Sequence, residues 1–163
     1  MSEQITITVS GDKRARYEEL LPQIRALVAG ETDGIANLAN ISAALKSAMN
    51  FFWVGFYLVK NHDLVVGPFQ GPVACTRIKE GRGVCGMAMK SKKTIIVPDV
   101  NEFPDHIACS TESKSEIVIP AVIDGNVVLV LDADSEYLNN FDSVDKEYLE
   151  KIIEIISGFY TGK

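Results

Sequence analysis

The chain has 163 residues, with 16 basic and 22 acidic side chains, a formal net charge of −6 and 47% hydrophobic residues. That length suits one domain able to bury a core without disulfide staples, and the acidic balance argues against a nucleic-acid partner. Met1–Thr6 has no basic segment leading into an apolar one, and no apolar run approaches the length of a bilayer span. The sequence therefore predicts a cytoplasmic protein with no membrane partner, in a compartment where thiols stay reduced.

Two helices are predicted first. Tyr17, Leu20, Leu21, Ile24, Leu27 and Val28 recur at helical spacing up to Gly30, with Pro22 expected to bend or restart the helix. Ile35, Leu38, Ile41, Leu45 and Met49 make a second stripe. From Phe51 the period becomes two: residues 52, 54, 56 and 58 share one face, and Trp53 and Tyr57 lie on the other. Asn61-His62-Asp63 reads as a hairpin turn into Leu64–Gly67, and Gly71-Pro72 as a further break. Short strands are expected at residues 94–97, 116–123 and 127–132, the last two joined by the hairpin signal Asp124-Gly125-Asn126. A closing helix begins near Asp142 and presents Leu149, Ile152, Ile153 and Ile156. Helices, antiparallel strands, a cysteine-bearing insertion, a hairpin and a final helix amount to an α+β architecture. No repeat, low-complexity tract or linker divides residues 1–163, so a single domain is expected to fold and to carry the function.

The chemistry centres on Cys75, Cys85 and Cys109. Their odd number leaves at least one thiol free in any disulfide state. Cys85 sits in Gly81-Arg82-Gly83-Val84-Cys85-Gly86, a glycine-rich turn entering a short helix, where backbone dipoles and Arg82 would favour a thiolate; the alternative is a buried thiol that only fills the core. Cys109 lies in the polar loop His106–Ser115, which argues for exposure, with His106 close enough in sequence to favour its thiolate. Cys75, at a loop edge, is suited to resolving an oxidised partner. A structural zinc site is disfavoured because no two cysteines form a Cys-x-x-Cys pair. A second constellation is acidic. Period two carries Val128, Val130, Asp132 and Asp134 on one face of the last strand, and antiparallel pairing across Asp124-Gly125 brings Glu116 toward both aspartates. Three converging carboxylates would bind an ammonium group, and their repulsion would let one keep a proton for general-acid work; a solvated strand end is the plainer alternative.

These residues carry a family resemblance. Gly71-Pro72-Val73-Ala74-Cys75-Thr76-Arg77-Ile78, Gly81-Arg82-Gly83-Val84-Cys85-Gly86 and His106-Ile107-Ala108-Cys109, followed by Ser115-Glu116-Ile117-Val118, closely resemble the free methionine-(R)-sulfoxide reductases, stand-alone GAF-domain enzymes. The likeness runs from Trp53 to the closing helix. It implies a GAF-like antiparallel sheet with helices packed on its faces, and reduction of free methionine (R)-sulfoxide by thiols recycled through thioredoxin. It implies no bound cofactor and no metal, and a homodimer. Carried over residue by residue, it makes Cys109 the nucleophile, Cys75 a resolving cysteine and Cys85 a third redox cysteine, although the attacking thiol differs between accounts of the family. Glu116, Asp132 and Asp134 match substrate-binding and acid-assisting carboxylates, and Trp53 and Tyr57 match pocket aromatics. Asp105 and Ser110 replace the glycine and aspartate often found beside the loop cysteine. A noncatalytic GAF-like sensor and a general thiol peroxidase are the competing functions.

Overall fold

A computed structural model describes residues 4–162. The first three residues, on which the expectation of no leader partly rests, lie outside it. In chain order the elements are α1 (Lys13–Val28), α2 (Gly34–Met49), β1 (Trp53–Lys60), β2 (Asp63–Gln70), β3 (Arg77–Lys79), α3 (Gly83–Ser91), β4 (Ile95–Val97), a 3-10 turn (Val100–Glu102), β5 (Ser115–Ile123), β6 (Asn126–Ser135) and α4 (Ser143–Ser157). The six strands form one sheet in the order β3-β2-β1-β6-β5-β4, every pair antiparallel. No described helix is long and apolar enough to cross a membrane.

Local chemistry sets the element boundaries. Asp12, Asp33 and Asp142 cap α1, α2 and α4 by accepting from backbone N–H groups of the first turn. Asp145 completes a capping box with Asp142. Asn61-His62 and Asp124-Gly125 take positive φ at both central positions, the mirror-image turn that matches strand twist in tight hairpins.

Strand alternation divides the interior into two layers. Val54, Phe56 and Leu58 of β1, Ile117, Ile119 and Ala121 of β5, and Leu129, Leu131 and Ala133 of β6 pack against α1, α2 and α4. Trp53, Tyr57, Val118 and Val130 face the other way, toward α3 and the loops around it. The predicted two-sided character of β1 thus has a physical basis, since each face meets a different apolar layer.

The structure departs from the sequence expectations in five places. Helix α1 runs through Pro22 without a restart, because Pro22 and the residue four before it, Glu18, are both exposed and water can satisfy the freed carbonyl. Ile35, assigned to the apolar stripe of α2, is 50% exposed in its first turn. Phe52 precedes β1 and packs with the α3-side layer rather than with Val54 and Phe56. Strand β3 escapes periodicity because it has three residues. Val128 packs on the helix side, not with Asp132 and Asp134. The register slips from Ala121↔Leu129 to Val122↔Val127, leaving Val128 as the extra residue of a bulge.

Candidate active site

The α3-side layer contains a pocket of about 590 Å³, its open mouth included. Its floor comes from β5 and β6. The pairing Glu116↔Asp134 and Val118↔Asp132 brings the three predicted carboxylates together, and all three line the pocket. Glu116 and Asp132 are each only 6% exposed. Among the described residues no ion pair involves any of the three. Ser113 Oγ donates to Asp134 Oδ1 at 2.5 Å, while Asp132 Oδ1 is buried with no hydrogen-bond partner.

Cys85 reaches the same floor from α3. Its Sγ lies 3.8 Å from Glu116 Oε1 as a thiol donor, and a sulfur or oxygen atom from each of Cys85, Glu116 and Asp132 lies within 4.8 Å of the others. The preceding turn explains why glycine follows this cysteine. Gly86 N–H donates to Arg82 O, and Gly81 N–H donates back to Gly86 O at 2.8 Å. A Cβ on Gly86 would stand 2.4 Å from Lys79 O, a backbone atom with nowhere to go.

The electrostatics follow from burial without counter-charge. Desolvation, then repulsion from Asp132 and Asp134, pushes the Glu116 carboxyl well above the usual range. Asp132 rises for the same reasons, desolvation first and then Asp134. Asp134 is pushed up to about 6 by burial, against the opposing hydrogen bond from Ser113. The floor therefore keeps protons at neutral pH that isolated carboxylates would lose. Cys85 differs from the thiolate expectation: it is only 4% exposed, and burial followed by the three carboxylates raises its pKa well above the usual thiol value. Arg82, the presumed stabiliser, is exposed and caps α3 without a side-chain hydrogen bond.

The rim carries the other two cysteines. Cys75 and Cys109, 34 residues apart, form a disulfide with Cα atoms 5.4 Å apart, leaving Cys85 as the free thiol. Cys109 is exposed as its loop predicts, and Cys75 is half-buried. Trp53 and Tyr57 line the pocket and also hold the Cys75 loop. Trp53 Nε1 donates to Pro72 O at 3.1 Å, and Tyr57 OH donates to Cys75 O at 3.0 Å. The Trp53 ring stacks between Tyr57 and Phe69, with centroids 5.9 and 5.2 Å away.

His106 also lines the pocket, with Nδ1 buried and unpartnered. Desolvation lowers its pKa, so it is a neutral imidazole and does not supply the positive charge expected beside Cys109. Asp105 takes φ 54°, the left-handed region, so an aspartate makes the turn for which the resembled family often uses glycine. Sequence reasoning missed Ser113, the hydrogen-bond donor to Asp134, and Ile107, which packs over Gly83. Both lie in an aperiodic loop. The only signal for Ser113 was its place three residues before Glu116, on the segment leading into the acidic strand.

This arrangement puts a disulfide, through its Cys109, on the wall of a pocket that has carboxyls with raised pKa at its floor and aromatic rings beside them. It is equipped to bind a small cationic group, to donate a proton and to exchange thiol for disulfide. Known proteins with the same frame exist. The GAF domain family model matches residues 38–158. The chain is 57% identical to GAF domain-containing protein A of Dictyostelium discoideum, over 96% of this chain and 99% of that one. It is 44% identical to the free methionine-R-sulfoxide reductase of Saccharomyces cerevisiae, over 90% and 86% of the two chains. Its structure superposes with a TM-score of 0.94 on the free methionine-R-sulfoxide reductase of Neisseria meningitidis in complex with its substrate, at 52% identity and 96% and 95% coverage. The chain therefore belongs to the free methionine-R-sulfoxide reductases, a family of oxidoreductases built on the GAF domain.

Proposed function

We propose that the protein reduces free methionine (R)-sulfoxide to methionine, with Cys109 as nucleophile, Cys75 as resolving thiol and Glu116 as proton donor. The observation that carries this reading is the Cys75–Cys109 disulfide, whose Cys109 lines a pocket floored by three carboxyls, Glu116 and Asp132 buried and Asp134 half-buried. In the reduced protein the Cys109 thiolate attacks the sulfoxide sulfur. Glu116, whose carboxyl burial keeps protonated, donates to the oxygen as the sulfur–oxygen bond weakens. The hydroxyl passes from the substrate sulfur to Cys109 Sγ, the bond between the two sulfurs breaks with its electron pair returning to the substrate, methionine departs, and Cys109 is left as a sulfenic acid. The Cys75 thiol attacks that sulfur, the hydroxyl leaves as water, and the Cys75–Cys109 disulfide remains. An external dithiol of the thioredoxin type then reduces the disulfide and is itself oxidised. No prosthetic group or metal enters this cycle, and the two electrons come from the dithiol.

The same geometry supports a preference for the free amino acid. Asp134 offers negative charge to an α-ammonium, whose positive charge would in turn favour ionisation of Asp132 beside it, and a peptide bond would remove that positive charge from the substrate. Trp53 offers an apolar wall for the sulfoxide methyl group. Cys85, buried and held as a thiol against Glu116, fits a positioning role better than first attack. The working protein in this proposal is a cytoplasmic homodimer. Incubating fully reduced protein with each separated sulfoxide epimer tests the assignment. The R epimer should yield about one equivalent of methionine per protein without added reductant, and the S epimer none. A folded, reduced protein that makes no methionine from the R epimer would reject the activity.

A further inference from the structure

Beyond the sulfoxide chemistry, the pocket floor has the composition of a cation site. Cys85, Glu116 and Asp132 come from three different elements, α3, β5 and β6, so no sequence spacing announces them together. One ligand atom from each lies within 4.8 Å of the others, and the Cys85 Sγ–Glu116 Oε1 distance is 3.8 Å. A tetrahedral zinc ion with Zn–S of about 2.3 Å and Zn–O of about 2.0 Å sets its sulfur and oxygen ligands roughly 3.5 Å apart. Closing the observed gap needs only side-chain movement. An independent observation points to an absent ligand. Asp132 lines the pocket and is 6% exposed, and its Oδ1 is buried with no hydrogen-bond partner. A buried carboxylate oxygen left without a partner is expensive, and no lysine, arginine or histidine forms an ion pair with it among the described residues.

We propose that Cys85, Glu116 and Asp132 form a binding site for a thiophilic divalent cation, zinc in the first place, entered through the pocket mouth. Three protein ligands leave the fourth tetrahedral position to water. The thiolate ligand selects zinc over magnesium or calcium, which take oxygen. Binding converts the Cys85 thiol to a zinc thiolate and releases its proton; nothing is oxidised or reduced. The Cys75–Cys109 disulfide stays intact, so the site is complete in the oxidised protein, where Cys85 is the free thiol. Zinc held there occupies the carboxylates that Asp132 and Glu116 would offer to the sulfoxide substrate. On the proposed function, and only on it, the cation is also a competitive inhibitor.

Cobalt(II) makes the test independent of turnover. Oxidised protein titrated with Co2+ should bind about one equivalent and develop the near-ultraviolet sulfur-to-cobalt charge-transfer band of a thiolate ligand. One equivalent of Zn2+ should abolish the band, and a hundredfold excess of Mg2+ should not. Cys85→Ser, nearly isosteric, should lose the band entirely. Asp132→Asn should keep the thiol and weaken Zn2+ binding at least about 10-fold. Failure of the oxidised protein to show the charge-transfer band, or its persistence in Cys85→Ser, would overturn the site. Neither result depends on whether the protein reduces methionine sulfoxide. If the R epimer is turned over, Zn2+ should raise KM and leave kcat unchanged, and an unchanged KM at saturating zinc would overturn the competitive role.

Discussion

Two buried aspartates on opposite sides of one sheet show how differently the chain treats the same side chain. Asp145, on α4 in the helix-side layer, is fully buried and fully served. Lys13 pairs with it at 2.5 Å, Tyr17 OH donates at 2.8 Å, and Asp142 N–H donates at 2.9 Å. Asp132, on the other side, is buried beside two more carboxyls and a thiol, with Oδ1 unpartnered. The first arrangement locks α1 to α4. The second costs stability and leaves negative charge and a proton waiting for a ligand, as expected where a fold accepts local strain for chemistry. The sheet separates the two requirements: β1 and β6 give one face to structure and the other to the site.

Substitutions at the two aspartates should move opposite properties. Asp145→Ala leaves Lys13 and Tyr17 without their buried partner and should destabilise the fold by about 3 kcal/mol in denaturant unfolding. Asp132→Asn should destabilise by no more than about 1 kcal/mol, since an amide of the same shape replaces a carboxyl that burial already holds toward its neutral form. It should instead lower kcat/KM for the R-sulfoxide about 100-fold, roughly 3 kcal/mol of transition-state binding. Loss of stability in Asp132→Asn comparable with Asp145→Ala would erase the distinction between the two layers.

The pH dependence of stability sharpens the same comparison. Asp134 titrates near 6 in the folded chain and at an ordinary aspartate value when unfolded, about 3.9. Between those values the folded state holds the extra proton, so the contribution of Asp134 is fully present below about pH 4 and is lost as pH rises through 6. Wild type should therefore lose up to about 3 kcal/mol relative to Asp134→Asn between pH 4 and pH 8. A difference that stays flat over that range would mean that Asp134 is not desolvated. The smallest effect is expected at Trp53. Trp53→Phe keeps an aromatic wall but loses the Nε1 bond to Pro72 O, which should cost about 1 kcal/mol in stability. It should also slow closure of the Cys75–Cys109 disulfide a few-fold in stopped-flow thiol measurements, because the Cys75 loop is less firmly held.

Legibility in the sequence followed the same division. The helix-side layer was readable because its elements are long and periodic: α4 presents Leu149, Ile152, Ile153 and Ile156 as expected, and Val54, Phe56 and Leu58 take the predicted face of β1. The acidic floor was also readable, since one hairpin with period-two strands places Glu116 opposite Asp134. What depends on three-dimensional environment was not. Cys85 looked like a candidate thiolate by its position in α3. Burial reverses that expectation, helped by carboxylates from strands more than thirty residues away in sequence. His106 looked like a cationic neighbour for Cys109 until its burial became visible. Val128 changed sides because a bulge, invisible to period two, slips the register by one residue.

The central claim is that the rim pair Cys109 and Cys75 carries the redox cycle over a floor whose own thiol, Cys85, stays reduced. Peptide mapping by mass spectrometry after a single turnover tests it most directly. Fully reduced protein is mixed with one equivalent of the R epimer, quenched with alkylating agent and digested. The account predicts about one equivalent of methionine, a Cys75–Cys109 cross-linked peptide and alkylated Cys85. Methionine formation accompanied by a disulfide that contains Cys85, with Cys75 or Cys109 left free, would contradict it.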